Sequence, residues 1–217
     1  MMRAGAVTRV RKLDETTAEV VCEEVAAVVR AGGVLAMPTD SVYGLGVNPF
    51  DETAVRRLCA IKGRDEGKPI LVLIADRSQL QGVVGTLPAA AAKLMDRFWP
   101  GPLTIVCPAA PALPKALTAG TGTIGVRLAA HPLLVRLLRH VGPLTGTSAN
   151  RSGDAPARTA EEVEQLLGGD VDLILDGGPS AVTAPSTVVD VTGQTVRLVR
   201  EGPIAWMAIQ SVLERGA

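Results

Sequence analysis

The 217-residue chain carries only five aromatic side chains: two Trp, two Phe and one Tyr. So small a set argues against the stacking platforms with which proteins usually hold single-stranded nucleic acid. A charge excess of one sign is missing too. The 22 Lys and Arg balance 22 Asp and Glu, so the molecule as a whole exerts no long-range pull on nucleic acid or an anionic membrane, and any basic site has to be local. Cysteine is scarce: Cys22, Cys59 and Cys107 are odd in number, far apart and set among apolar residues. That pattern suits small buried hydrophobes in a reducing compartment and excludes a disulfide framework or a zinc cluster. The N-terminal MMRAGAVTRVRKLDE lacks an apolar signal core, and apolar runs such as ILVLIA at 70–75 fall far short of the ~20 residues of a spanning helix. A soluble, cytoplasmic protein with no membrane partner is expected.

What the chain does have is hydrophobicity in two alternating periods. Hydrophobic residues make up 47% of the sequence, enough to fill a sizeable core in one large domain or two small ones. Val21, Val25, Val28 and Val29 share one face of a helix over 14–31, with Asp14 as its N-cap and Gly32 and Gly33 as its end. GVLAMP at 33–38 reads as strand. Asp51 caps a second helix bearing Val55, Leu58 and Ile61, and PILVLIA at 69–75 is the continuous apolar run of a strand covered on both sides. The alternation continues with helix at 88–98, strands at 103–107 and 123–128, helix at 132–139, apolar PLTGTS at 143–148, helix at 160–167 and strand at 172–176. STVVDV and TVRLVRE around TGQ predict an antiparallel hairpin, followed by a helix over 203–214. The class is mixed α/β. No fixed-period repeat or interdomain linker is visible, and the Pro/Ala stretch CPAAPALPKALTAGTG at 107–122 is expected to be a mobile loop.

Familiar motifs fail one by one. GRDEGKP at 63–69 has three residues between its glycines and is followed by Pro69 and a strand, so it is no P-loop. GLGVNP at 44–49 has Pro49 where a dinucleotide fingerprint needs its third glycine. His131 and His140 lie at opposite ends of one helix, and Ser148 lacks a nucleophile elbow, so neither a metal site nor a covalent intermediate is indicated. What remains is a set of polar loops at strand ends: PTDSVYGLG at 38–46, KGRDEGK at 62–68, Arg127, TSANRSG at 147–153, PST at 185–187, and Arg200. Loops at the carboxyl ends of strands in an open α/β sheet converge on one crevice, where small ligands bind.

Each candidate has two readings. Lys62 and Arg64 complement the dipole of a helix C-terminus, or join Lys68 and the two neighbouring glycines in holding a phosphate. Ser148 and Asn150 are turn and capping residues, or two side chains on one face of an extended segment. Arg127, inside an apolar strand, needs an anionic partner, either a structural carboxylate or that of a ligand. Ser41 and Ser186 are weak signals alone, and Tyr43 reads as a residue packed beside the pocket.

In order along the chain, PTDSVYGLG, KGR with Lys68-Pro69, FWPGPLT, GVRLAAHP, TSANRSG, STVVDV and VREG resemble the YrdC/Sua5 family of L-threonylcarbamoyladenylate synthases over about residues 15–204. The resemblance implies a single YrdC-like domain over 1–217, built on one twisted mixed sheet flanked by helices with a large concave cavity. It implies a nucleotidyltransferase that makes threonylcarbamoyl-AMP, pyrophosphate and water from L-threonine, bicarbonate and ATP with Mg²⁺, for the t6A modification of tRNA. Downstream threonylcarbamoyl-transfer proteins would be partners, and contact with tRNA itself indirect or weak. Lys62 and Arg64 match the family's K-x-R motif and are the catalytic candidates, while Ser148 and Asn150 match its S-x-N. With Lys68 and Arg200 these form the ATP side. Ser41, Arg127 and Ser186 match the threonine side, with the metal carried mainly by ATP phosphates. The family often has Thr at the position of Ser41. Its longer members carry His at the position of Leu73 and append a second domain, so this chain resembles the short form. The alternative is an RNA-binding or ribosome-maturation module using the same cationic cavity, against which balanced charge and few aromatics weigh.

Overall fold

Apolar spacing decides which face each element covers. In the computed structural model, which describes residues 8–63, 69–180 and 184–214, strand β1 (Arg9–Lys12) leads into helix α1 (Ala18–Arg30), whose Ala18, Val21, Cys22, Val25, Val28 and Val29 are buried on one face. The N-cap position of α1 is Thr17 and not the expected Asp14. Asp14 sits in the turn just before, where its Oδ1 accepts from the backbone N–H groups of Thr16 and Thr17. After β2 (Leu35–Met37) and antiparallel β3 (Gly44–Gly46), α2 (Glu52–Lys62) begins at Asp51, which accepts from the Ala54 N–H as expected, and ends at Gly63 in the left-handed conformation.

The expected alternation continues through β4 (Val72–Ile74), α3 (Ala89–Phe98), β5 (Leu103–Pro108), α4 (Lys115–Thr118), β6 (Thr123–Leu128) and α5 (Pro132–Val141). The segment 107–122, expected to be mobile, is instead packed. Ala110, Leu113 and Leu117 are buried, Ala109 bridges Val84, and the Leu117 carbonyl accepts from the Ile70 N–H. Leu113 and Leu117, four residues apart, give this stretch an apolar side that docks on the core. The remaining elements are β7 (Leu144–Thr145), β8 (Thr147–Ser148), α6 (Ala160–Leu167), β9 (Leu173–Asp176), the expected antiparallel pair β10 (Thr187–Asp190) and β11 (Arg197–Arg200), and α7 (Trp206–Glu214). No helix among the described residues is long and apolar enough to cross a membrane.

The strands pair in two mixed ladders, β1-β9-β2-β3-β8 and β11-β10-β5-β6-β4-β7. One stretch of chain, 144–148, serves both. Its Thr145 N–H donates to Val47 O on the β3 side at 3.0 Å and its Gly146 N–H to Leu71 O on the β4 side at 2.8 Å. The two sheets, of five and six strands, thus meet at a shared seam.

Period-2 alternation then sorts the two faces. Ala36, Val72, Ile74, Ile105, Cys107, Ile124, Val126 and Val189 enter one apolar cluster with residues of α2, α3 and α6. Leu35, Met37, Leu73, Leu173 and Leu175 enter the other, with α1 and α5. On the face of α1 and α5, the part of the sheet over β4, β6, β5 and β10 is left open.

Candidate active site

That open part is the floor of a cavity of about 560 Å³, within the ordinary range for small-molecule sites. Its floor residues alternate with those of the first cluster: Leu71 just before β4 and Leu73 on it, Thr123, Gly125 and Arg127 on β6, Thr104 and Val106 on β5, Val188 and Asp190 on β10. Gly146, in the seam, lets the floor pass close beneath. A Cβ there would meet Leu73 Cγ at 2.6 Å. The walls come from the loops: Thr39, Ser41 and Tyr43, then Pro69 and Ile70, Thr147 and Ser148, Pro185 and Ser186, and Arg200.

Arg127 is the central polar feature. It is 4% exposed, and among the described residues it makes no hydrogen bond and has Asp40 as its one ionic partner, with Nη2 3.2 Å from Asp40 Oδ2. Burial pulls its pKa below the ordinary arginine value, Asp40 opposes that shift and Arg200 adds to it. Asp40 is held from behind, its Oδ1 accepting from the N–H groups of Ala130 and His131 at the start of α5. Asp40 supplies the structural carboxylate, and among the described residues Arg127 keeps donors to spare.

Arg200 reaches in from edge strand β11. Its Nε and Nη2 donate to Ser186 O at 3.1 and 2.8 Å, and Nη2 reaches Ser186 Oγ at 3.3 Å. Ser186 Oγ lies 2.8 Å from Thr104 Oγ1. Across the cavity, the Thr39 hydroxyl donates to Val42 O at 2.7 Å, accepts from the Ser41 N–H and lies 3.2 Å from Ser41 Oγ, which fixes the loop that carries Ser41. Tyr43, fully buried, packs beside the pocket as expected and ties the 177–178 turn through its hydroxyl. Asp190 is the acidic side chain of the lining, and its two oxygens are engaged by Thr192 and Arg197. The charge left facing the cavity is cationic.

The structure thus gathers Ser41, Arg127, Ser148, Ser186 and Arg200, from five separate segments, around one hollow. Lys62 and Asn150 are not in its lining. Lys62 is 3% exposed, and its ammonium donates to Ser148 O at 2.5 Å, Asn150 O at 2.7 Å and Asn150 Oδ1 at 3.3 Å. Asn150 uses its amide to hold the carbonyls of Arg151 and Asp154. The expectation that Ser148 and Asn150 point to one face is corrected here: β8 ends at Ser148, and beyond a strand the two-residue alternation no longer applies. Arg64 and Lys68 lie outside the described residues. Sequence reading did not single out Thr104, Thr123 or Asp40. The first two were recoverable, because they alternate with the core residues of LTIVC and TIGVRL.

A family model described as Sua5/YciO/YrdC, telomere recombination, matches residues 27–202. The threonylcarbamoyl-AMP synthase of Thiobacillus denitrificans is 45% identical over 174 residues, 79% of this chain and 92% of that protein. That of Bacillus subtilis is 41% identical over 192 residues, 88% of this chain and 56% of that protein. Among solved structures, Pyrococcus abyssi Sua5 complexed with L-threonine superposes with a TM-score of 0.86 at 34% identity, over 95% of this chain and 60% of that one. This chain therefore spans about 60% of the length of that structure.

Proposed function

This chain belongs to the Sua5/YciO/YrdC family, and on that footing we propose that it joins L-threonine, bicarbonate and ATP into threonylcarbamoyl-AMP, releasing pyrophosphate and water. The observation that carries the reading is the buried Arg127, with guanidinium donors unspent among the described residues, set in the same hollow as Ser41, Ser148, Ser186 and Arg200. A guanidinium matches an amino acid carboxylate with two parallel hydrogen bonds. The matched relatives named as threonylcarbamoyl-AMP synthases, and a superposable relative solved with L-threonine, support this over the RNA-binding alternative.

In the proposed reaction the threonine amine takes up CO2 derived from bicarbonate, and a carboxylate oxygen of the resulting N-carboxythreonine attacks the α-phosphorus of ATP. The P–O bond to pyrophosphate breaks and a mixed anhydride forms, which makes the chain a nucleotidyltransferase. No side-chain nucleophile is required. The protein's part is to hold two substrates in line and offset the charge that grows on the phosphates.

Ser41, Arg127 and Ser186 would hold threonine; Ser148 and Arg200 would face the nucleotide. Lys62 would act through the 148–150 segment that it stitches together, adding its charge behind Ser148, with Arg64 and Lys68 beside the phosphates. Magnesium would share the phosphate charge. The ion would be held mainly by phosphate oxygens. The product would pass to downstream transfer proteins for t6A formation on tRNA.

The test incubates the purified chain with ATP, Mg²⁺, bicarbonate and each amino acid singly and measures pyrophosphate. Release that needs both L-threonine and bicarbonate is expected. Release independent of the amino acid, or none with threonine, would overturn the reading.

A further inference from the structure

Thr104 and Ser186 bring two hydroxyl hydrogens to a single hydrogen bond. Their Oγ atoms are 2.8 Å apart, the residues are 2% and 3% exposed, and both line the cavity. Arg200, which can only donate, directs Nη2 to Ser186 Oγ at 3.3 Å. Ser186 Oγ therefore already accepts one hydrogen bond. One hydroxyl hydrogen of the pair is used between the two oxygens, and the other has no acceptor among the described residues. A buried hydroxyl hydrogen without an acceptor is costly unless something in the cavity supplies one.

The geometry points to Thr104 as a further binding residue of the amino acid site: the Thr104–Ser186 pair donates its surplus hydrogen to the carboxylate that Arg127 holds. This inference rests on the proposed reaction. With Arg200 feeding Ser186, the chain of donors runs from Arg200 to Ser186 to Thr104, and each bond polarises the next. The hydrogen left for the ligand is then that of Thr104. Ile105 and Val126 are paired across β5 and β6, and Thr104 and Arg127 are each the next residue along their strands on the cavity side. The hydroxyl and the guanidinium thus stand as neighbours on the floor, two donors facing one anion.

The experiment titrates L-threonine, and separately ATP, into the full chain by calorimetry for wild type, T104V and T104S. Valine keeps the shape and removes the hydroxyl; Thr104→Ala serves if valine prevents folding. The loss of one hydrogen bond to a charged group predicts L-threonine affinity weaker by about 10-fold or more. ATP affinity should stay within about twofold and T104S should restore most of the threonine binding, since the serine hydroxyl retains the donor. Threonine binding by T104V equal to wild type overturns the inference, as does an equal loss for threonine and ATP. Wild type that binds ATP but no threonine overturns the proposed reaction and this inference with it. Wild-type pyrophosphate release alongside normal threonine binding by T104V removes the Thr104 role alone.

Discussion

Arg127 Nη2 stands 3.2 Å from Asp40 Oδ2, and neither Asp40 Oδ2 nor Arg127 Nε has a hydrogen-bond partner among the described residues. The two side chains, at 5% and 13% exposure, make an ion contact with no hydrogen bond between them, while Asp40 Oδ1 is held by backbone N–H groups. Removing one partner leaves the other charge buried and uncompensated. Asp40→Ala should therefore cost about 3–5 kcal/mol of stability, and it also takes the acceptor from the Ala130 and His131 N–H groups. In urea denaturation, the double variant D40A/R127M should lose less than the sum of its single variants. Additive losses would show that the two charges do not depend on each other.

Arg127→Lys keeps the charge but gives up the planar fork. It should lower kcat/KM for L-threonine by roughly 10²-fold, the scale of two charge-assisted hydrogen bonds, with the KM for ATP little changed. Steady-state pyrophosphate assays at saturating co-substrate check this. A variant impaired equally for both substrates would move Arg127 out of the amino acid site.

Lys62 binds backbone, so its loss should register in stability as well as turnover. Lys62→Ala strips the donor from the part-buried carbonyl of Ser148 and the buried carbonyl of Asn150, the latter worth about 1–3 kcal/mol when left unsatisfied. Turnover should fall by about 10²- to 10³-fold, as for loss of one transition-state donor. Chemical denaturation and turnover on the same sample separate the two effects. Unchanged stability with abolished turnover would place the ammonium on the phosphates instead.

Two floor glycines should answer differently to alanine. At Gly125 an added Cβ meets Thr104 Cγ2 at 3.1 Å and Leu71 Cβ at 3.4 Å, whereas at Gly146 it meets Leu73 Cγ at 2.6 Å. Gly146→Ala forces a packed side chain aside and should cost about 1–3 kcal/mol. Gly125→Ala should be milder in stability and act chiefly on substrate affinity, because its methyl rises from the cavity floor. Melting temperatures and KM values for the two variants distinguish these outcomes.

Burial pushes the Cys107 thiol up to about 12 from 9.0. The folded state favours the neutral thiol, so the stability this group contributes is intact below the ordinary thiol pKa and is lost as pH rises from there toward about 12. At pH 8 Cys107 should resist a disulfide-exchange reagent until the chain is unfolded by urea. Rapid labelling of Cys107 in the native protein would contradict this burial.

Much of the fold was legible because one-dimensional periods report local burial. Val21, Val25, Val28 and Val29 mark α1, Asp51 marks the start of α2 and Lys62 its last turn, and the continuous apolar run at 69–75 contains β4. β1 and β3 were not read. The first is RVRK at an exposed edge and the second is GLG, and neither charged nor glycine residues advertise a strand whose partners lie elsewhere in the chain. The 107–122 stretch was misread because Pro and Ala suggest a loop, while the burial of Leu113 and Leu117 depends on what they meet in space.

By itself the sequence determined the mixed α/β class, the order of its elements and the polar loops that carry a family's motifs, since periodicity, capping and motif order are properties of neighbours along the chain. Only the tertiary structure decided which of those polar residues share a hollow. It set Arg127 against Asp40 and Ser186 against Thr104 and Arg200, and it turned Lys62 and Asn150 into a brace behind Ser148. Residues 127 and 40, or 186 and 104, meet because strand register and the seam at 144–148 bring them together, and the energy of each meeting depends on burial and on distances that no linear spacing encodes.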